Sequence, residues 1–269
     1  MKITLLTCTG DRPLCFSLLE RWLSQQTVKY TQWLVVDDGK IETKPRIKCD
    51  YIRRTPLPID PQFTLSLNIQ TALPFIDGDI ILFCEDDEYY APKYVEVMSN
   101  YLRDFQVVGI CHSKYYHLPS FRYYVHLNND HASLAQTGIQ KSFLDELNPL
   151  LDGDSFVDIR IWERAIGGKL RWNTAPFIPS GMPFNNNKGF LFQDNVQPLY
   201  VGMKGMPGRG GIGSGHKGIG SLDADQRILK MWMPQDYVYY LQVAKANKLK
   251  NFRKLVPGTQ LVFPPLSDE

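Results

Sequence analysis

Ile80-Ile81-Leu82-Phe83-Cys84-Glu85-Asp86-Asp87-Glu88 is the stretch on which the reading of the fold turns. Five apolar residues run without a spacer into four acids. A short unbroken apolar run predicts a strand buried on both faces. It is far too short to cross a bilayer. Two earlier segments end in the same way. Residues 2–8 run into Thr9-Gly10-Asp11-Arg12, and residues 33–36 run into Asp37-Asp38-Gly39. Between them, residues 13–25 carry apolar side chains at 15, 16, 18, 19, 22 and 23, a helical spacing. Residues 64–75 read as a second helix with Pro74 near its end. Residues 92–105 read as a third, which Pro92 can open in its first turn. Residues 107–112 form another apolar strand. The alternation predicts an α/β fold: a Rossmann-like, mainly parallel sheet with helices on both faces, because parallel strands need crossovers. Ligands of such sheets bind beyond the carboxyl ends of the strands, where all three polar clusters fall.

The chain has 269 residues, 43% of them hydrophobic and 22% charged. That composition excludes a disordered or collagen-like chain, and the length allows one large α/β domain or two small ones. The net charge of +2 is unevenly spread: residues 200–269 hold ten lysines and arginines against five acids. A basic final quarter suggests an anionic partner. The expected division is a core over residues 1–199 and, packed on the same domain, a basic extension over 200–269. The five cysteines are odd in number and form no CxxC pair, which points to a reducing cytoplasm and against structural zinc. The opening residues show no apolar signal region, so no signal peptide is expected.

Further along, Tyr115, Tyr116, Phe121, Tyr123 and Tyr124 suggest a hairpin, serving either sheet packing or an acceptor surface. Residues 156–166 read as a helix with Phe156, Ile159, Trp162 and Ile166 on one side and Asp158 in its first turn. Residues 226–233 and 238–249 are further predicted helices. Residues 202–220 are Gly-rich and carry Lys204, Arg209, His216 and Lys217. This stretch reads as a loop, either plain or a lid whose backbone N–H groups and Arg209 meet phosphates. It does not follow a strand and open a helix, so it is not a dinucleotide or P-loop motif.

Four adjacent acids repel one another, and a strand end cannot hide that cost. A hard divalent cation, Mn2+ or Mg2+, would neutralise them through carboxylate oxygens. The competing reading is a solvated acidic turn. Asp37-Asp38-Gly39 could accept hydrogen bonds from a base or ribose, or be a common Asp-Gly turn.

Taken in order, these segments resemble the family-2-like GT-A glycosyltransferases. Thr7-Cys8-Thr9-Gly10-Asp11-Arg12-Pro13 is similar to that family's first strand and loop. Val35-Val36-Asp37-Asp38-Gly39 is similar to its second-strand element, with Lys40 where the family has serine. The family's DXD position falls on Glu85-Asp86-Asp87, with glutamate as its first acid. Asp158 falls in its acidic-pair helix, where Val157 replaces the first acid. The resemblance covers residues 2–170. It implies a nucleotide-sugar donor, most simply uridine-linked, and a metal-dependent inverting transfer to an acceptor hydroxyl. It implies Thr9, Asp11, Arg12, Asp37, Asp38, Asn68 and Asp86 around the donor, and Mn2+ or Mg2+ on Asp87 and Glu85. It implies Asp158 as general base, a role for which Asp152 and Asp154 compete. Asp158, like them, has helix capping as its bland alternative. Arg209 is a further candidate phosphate contact. His216 is a candidate further metal ligand; a lone histidine is more often structural.

The acceptor is a glycan or a hydroxymethylated pyrimidine in phage-type DNA, the latter suggested by Lys245, Lys248, Lys250, Arg253 and Lys254. No integral membrane segment is expected. Two other functions compete: a nucleotidyltransferase making nucleotide sugars, and a non-catalytic nucleotide-binding module.

Overall fold

A computed structural model describes residues 1–126, 128–151, 153, 156–168, 183–184, 188–194, 197–210 and 217–234. The chain opens with β1 (Ile3–Thr9), α1 (Pro13–Ser24), β2 (Gln32–Asp37), β3 (Asp50–Arg53) and α2 (Leu65–Ala72). It continues with β4 (Ile80–Phe83), β5 (Tyr89–Tyr90), α3 (Tyr94–Tyr101), β6 (Val107–Cys111), β7 (Ser113–His117) and β8 (Arg122–His126). Next come β9 (Thr137–Gln140), α4 (Leu144–Leu147), α5 (Val157–Ile166), β10 (Pro183–Phe184), β11 (Gly189–Gln193) and β12 (Tyr200–Lys204). The described residues end with β13 (Ser221–Leu222) and α6 (Arg227–Trp232).

The main sheet has eight strands in the order β10-β11-β6-β9-β4-β1-β2-β3. β1 lies parallel to β2 and β4, β2 to β3, and β11 to β6. Successive side chains of a strand point to opposite faces. Leu5, Val35 and Leu82 therefore pack on one side with Phe16, Leu19, Trp22, Tyr94 and Met98 of α1 and α3. Leu6, Leu34, Val36, Ile81 and Phe83 pack on the other with Ile69 of α2 and Ile161 and Trp162 of α5. Both faces are covered, which is why these strands read as continuous apolar runs. The fold is the expected α/β class. A second sheet, β13-β8-β7-β12-β5, stands beside it. The tyrosine-rich segment forms the expected hairpin there, with β7 antiparallel to β8 and Tyr115 opposite Tyr124.

Several boundaries differ from the sequence reading. The helix expected over 92–105 spans only Tyr94–Tyr101. The Pro92 carbonyl instead accepts from Thr27 N at 2.8 Å, fixing the connection ahead of the helix. The 64–75 helix is α only to Ala72 and continues as a 3-10 turn, Leu73–Phe75, around Pro74. Lys204 and Gly202 are not loop residues: they lie in β12, between β7 and β5. Phe156 precedes α5 and is 49% exposed, so it is not part of that helix's packed side. The antiparallel β9 between β4 and β6 was not expected. No described helix is long and apolar enough to cross a membrane.

Trp162 places α5. Its ring is fully buried, and its Nε1 donates to Thr137 Oγ1 of β9 at 3.1 Å. Residues i and i+4 share a helix face, so anchoring Trp162 also anchors Asp158 one turn earlier.

Candidate active site

The carboxyl ends of β1 and β4 meet over one cavity of about 750 Å³. At the end of β1, Gly10 has no room for a side chain: a Cβ there would sit 2.6 Å from Asp38 Oδ1 and 2.9 Å from Gly39 N. The Asp11 carboxylate accepts from Lys40 N at 2.8 Å, clasping the β1 and β2 loops together. Asp37 is fully engaged by the protein. It accepts from Gly39 N at 2.8 Å, Thr43 N at 2.7 Å and the Tyr51 hydroxyl at 2.6 Å, and pairs with Arg53. Burial, then the bond to Asp37, raises the Tyr51 hydroxyl's pKa. Asp38 accepts from Arg54 at 2.9 Å, Arg209 at 2.7 Å and the Thr64 hydroxyl. Burial works to raise the Asp38 pKa, but its bonds to Thr64, Arg209 and Arg54 outweigh burial and hold it below the ordinary value. Arg54 also reaches Asn68 and Asp60, so it links the β2 loop, the 55–63 loop and α2.

The acids after β4 diverge. Asp86 accepts from Thr9 Oγ1 at 2.7 Å and Arg12 Nη1 at 2.9 Å. The same Arg12 nitrogen is 3.0 Å from Asp87. Glu88 turns the other way, accepting from Met203 N at 2.8 Å and from the Lys204 ammonium. Among the described residues no donor reaches the Glu85 carboxylate. Burial, then the Asp87 charge, pushes the Glu85 carboxyl up to about 7. Burial takes Glu88 up to about 8 despite Lys204. Lys204 is itself held above its ordinary value, the charges of Glu88 and Asp87 overcoming its burial.

Glu85, Asp87 and Glu88 each offer an oxygen within 4.8 Å of the others. An all-carboxylate donor set suits a hard divalent cation. Among the described residues, Arg12 pairs with Asp86 and Asp87 and Lys204 with Glu88, while no donor is bonded to the Glu85 carboxylate. The residues present therefore fit Mn2+ or Mg2+.

Of the residues singled out from sequence, Thr9, Arg12, Asn68, Glu85, Asp86, Asp87, Asp158 and Arg209 line this cavity. Asp11, Asp37 and Asp38 stand behind its wall, holding the loops that form it. His216, Asp152, Asp154 and the basic residues 245–254 lie outside the described residues. Sequence reasoning missed His126 and His131, which also line the cavity, and named Tyr115 only in a hairpin of open role and Lys204 only as part of a Gly-rich loop. The apolar run before Lys204 was a signal for a buried strand. Burial, then the His131 charge, lowers the His126 pKa.

No family model matches the chain, and no curated protein matches it in sequence. It is similar to solved structures. S. aureus TarS 1-349 is 13% identical over 76% of this chain and 60% of that one, with a TM-score of 0.49. The same protein in complex with UDP-GlcNAc is 12% identical over 87% and 66%, also at 0.49. The mannosyltransferase PcManGT from Pyrobaculum calidifontis, in complex with GDP-Man and Mn2+, is 12% identical over 72% and 55%, with a TM-score of 0.47. The chain thus spans 60% of the length of TarS 1-349.

Proposed function

We propose that the chain is a GT-A-type, metal-dependent glycosyltransferase that moves a sugar from a nucleotide sugar to an acceptor hydroxyl with inversion. The observation that carries this reading is one cavity lined both by the acids after β4 and by Asp158 of α5. Glu85 and Asp87 would hold Mn2+ or Mg2+. Bound there, the ion would stabilise the charge that builds on the departing diphosphate. Arg12 and Arg209 meet the phosphates, while Thr9 and Asn68 shape the nucleoside end. Asp86 orients Thr9 and Arg12. Asp11, Asp37 and Asp38 act indirectly, by fixing the loops that carry them. Asp158 accepts the proton of the acceptor hydroxyl as its oxygen bonds to the anomeric carbon. The bond from that carbon to the phosphate oxygen breaks, and the nucleoside diphosphate leaves. A single base and a direct displacement invert the configuration. Residues 200–210 complete the same catalytic domain as residues 1–199.

Thermal shift against a panel of nucleotide sugars, with and without Mn2+, tests the donor. A ligand that binds only the folded state raises its apparent stability. A uridine-linked sugar with Mn2+ should give the largest rise. Product analysis separates reaction classes. Free nucleoside diphosphate supports sugar transfer, pyrophosphate identifies a nucleotidyltransferase, and no product with any donor identifies a binding module.

A further inference from the structure

We propose that Arg12 is a built-in counter-cation that a divalent ion displaces from Asp87, and that the guanidinium so released grips the donor phosphate. This rests on the cation site proposed above. One nitrogen, Nη1, lies 2.9 Å from Asp86 and 3.0 Å from Asp87, with the arginine side chain only 15% exposed. A single positive charge is thus shared between two adjacent buried carboxylates. The neighbouring cation, Lys204, makes its direct contact with Glu88 and acts on Asp87 and Glu85 only through its charge. Glu85, beside them, has no donor among the described residues. An ion on Glu85 and Asp87 brings two charges to the place where Arg12 supplies one. Like charges then repel, and the hard cation is the better partner for carboxylate oxygen.

What can move is narrowly defined. The Arg12 carbonyl accepts from Phe16 N at 3.0 Å, and Pro13 opens α1 directly after it, so the backbone is pinned. Asp86 keeps its bond from Thr9 when the guanidinium leaves. Arg12 Nε donates to the Arg209 carbonyl at 2.5 Å, and a Cβ on Gly208 would lie 2.8 Å from Arg12 Cγ. The 205–210 segment therefore rests on the Arg12 side chain and carries Arg209, which faces the same cavity. Displacing the guanidinium from Asp87 lets Arg12 turn towards an anion beside Arg209, whose own guanidinium is held by Asp38. Cation and diphosphate binding are thereby coupled through the chain itself, in addition to any direct contact between the two ligands.

The test is Mn2+ binding without donor, read by calorimetry and by the paramagnetic signal of free Mn2+. Arg12→Met removes the charge and keeps the stem. It should bind Mn2+ about tenfold more tightly than the parent protein, and at saturating Mn2+ should bind UDP about tenfold less tightly, an ordinary size for coupling between sites. Arg12→Lys supplies a point charge without the planar fork and should fall between. If Arg12→Met fails to fold, Arg12→Lys against the parent decides. Equal or weaker Mn2+ affinity in a folded variant overturns the displacement and leaves the cation site standing. No Mn2+ uptake by the parent protein overturns the cation site and this inference with it.

Discussion

The Lys204 ammonium donates to the Glu88 carboxylate across 116 positions of sequence, and the two side chains are only 9% and 2% exposed. This pair ties β12 of the second sheet to the acidic segment after β4. It also fixes where Glu85 and Asp87 stand, since Glu88 follows them directly. Removing one member leaves a buried ionisable group without its ion-pair partner, which costs about 3–5 kcal/mol. Glu88→Gln and Lys204→Met should each lower stability by that amount in urea unfolding. The double variant should recover part of the loss. Single variants as stable as the parent would show that the pair is not formed.

Asp158 reaches the cavity from a different element than the acids and lies outside the cluster of Glu85, Asp87 and Glu88. Asp158→Asn should therefore cut turnover by roughly 10²–10⁴-fold, the usual contribution of a general base. Donor and Mn2+ affinities should stay unchanged in titrations. Turnover within a few-fold of the parent would remove this residue from the chemistry.

Glu85 sets a pH dependence. Its ordinary value of 4.5 is raised to about 7 by burial and then by the Asp87 charge. Between those values the folded state keeps a proton that the unfolded chain has released. Stability of the cation-free protein therefore falls as pH rises across that window, and is fully present below it. Glu88, raised to about 8, extends the fall upward. A cation needs the carboxylates deprotonated, so its affinity runs the other way. The rise in melting temperature given by Mn2+ should grow from about pH 6 to about pH 8, as the raised carboxyls of Glu85 and Glu88 lose their protons. A constant increment would contradict the assignment of Glu85.

Much of this arrangement was legible in the sequence, and the gaps have physical causes. β1, β2, β4 and β6 are buried on both faces, so each appears as an apolar run ending in polar residues. β9 is Thr-Gly-Ile-Gln and carries one large apolar residue, because Leu82 and Leu102 already fill the space beside Gly138. Lys204 was hidden by composition: its charge placed it with a basic, Gly-rich stretch, whereas its strand buries it against Glu88. The pairing of Asp37 and Asp38 with Tyr51, Arg53 and Arg54 depends on β3, whose half-exposed residues show no clear periodicity. Asp-Asp-Gly at a strand end draws the eye to both carboxylates, but the sequence does not reveal that each is bonded within the protein.

Gly109 of β6 lies directly under Trp162, where a Cβ would sit 2.4 Å from the indole Cζ2 and 2.6 Å from Ala132 Cβ. The indole cannot yield easily, because it is fully buried and bonded to Thr137. Gly109→Ala therefore overpacks the interface between the sheet and α5, at a cost of about 1–3 kcal/mol. Relief requires α5 to lift, which carries Asp158 away from its place on the cavity wall. The variant should thus lose turnover while keeping Mn2+ affinity, since the acids after β4 belong to a different strand. Equal loss of both would show that the helix and the acidic segment move as one body. Unchanged melting and turnover together would mean that Trp162 does not set the position of α5.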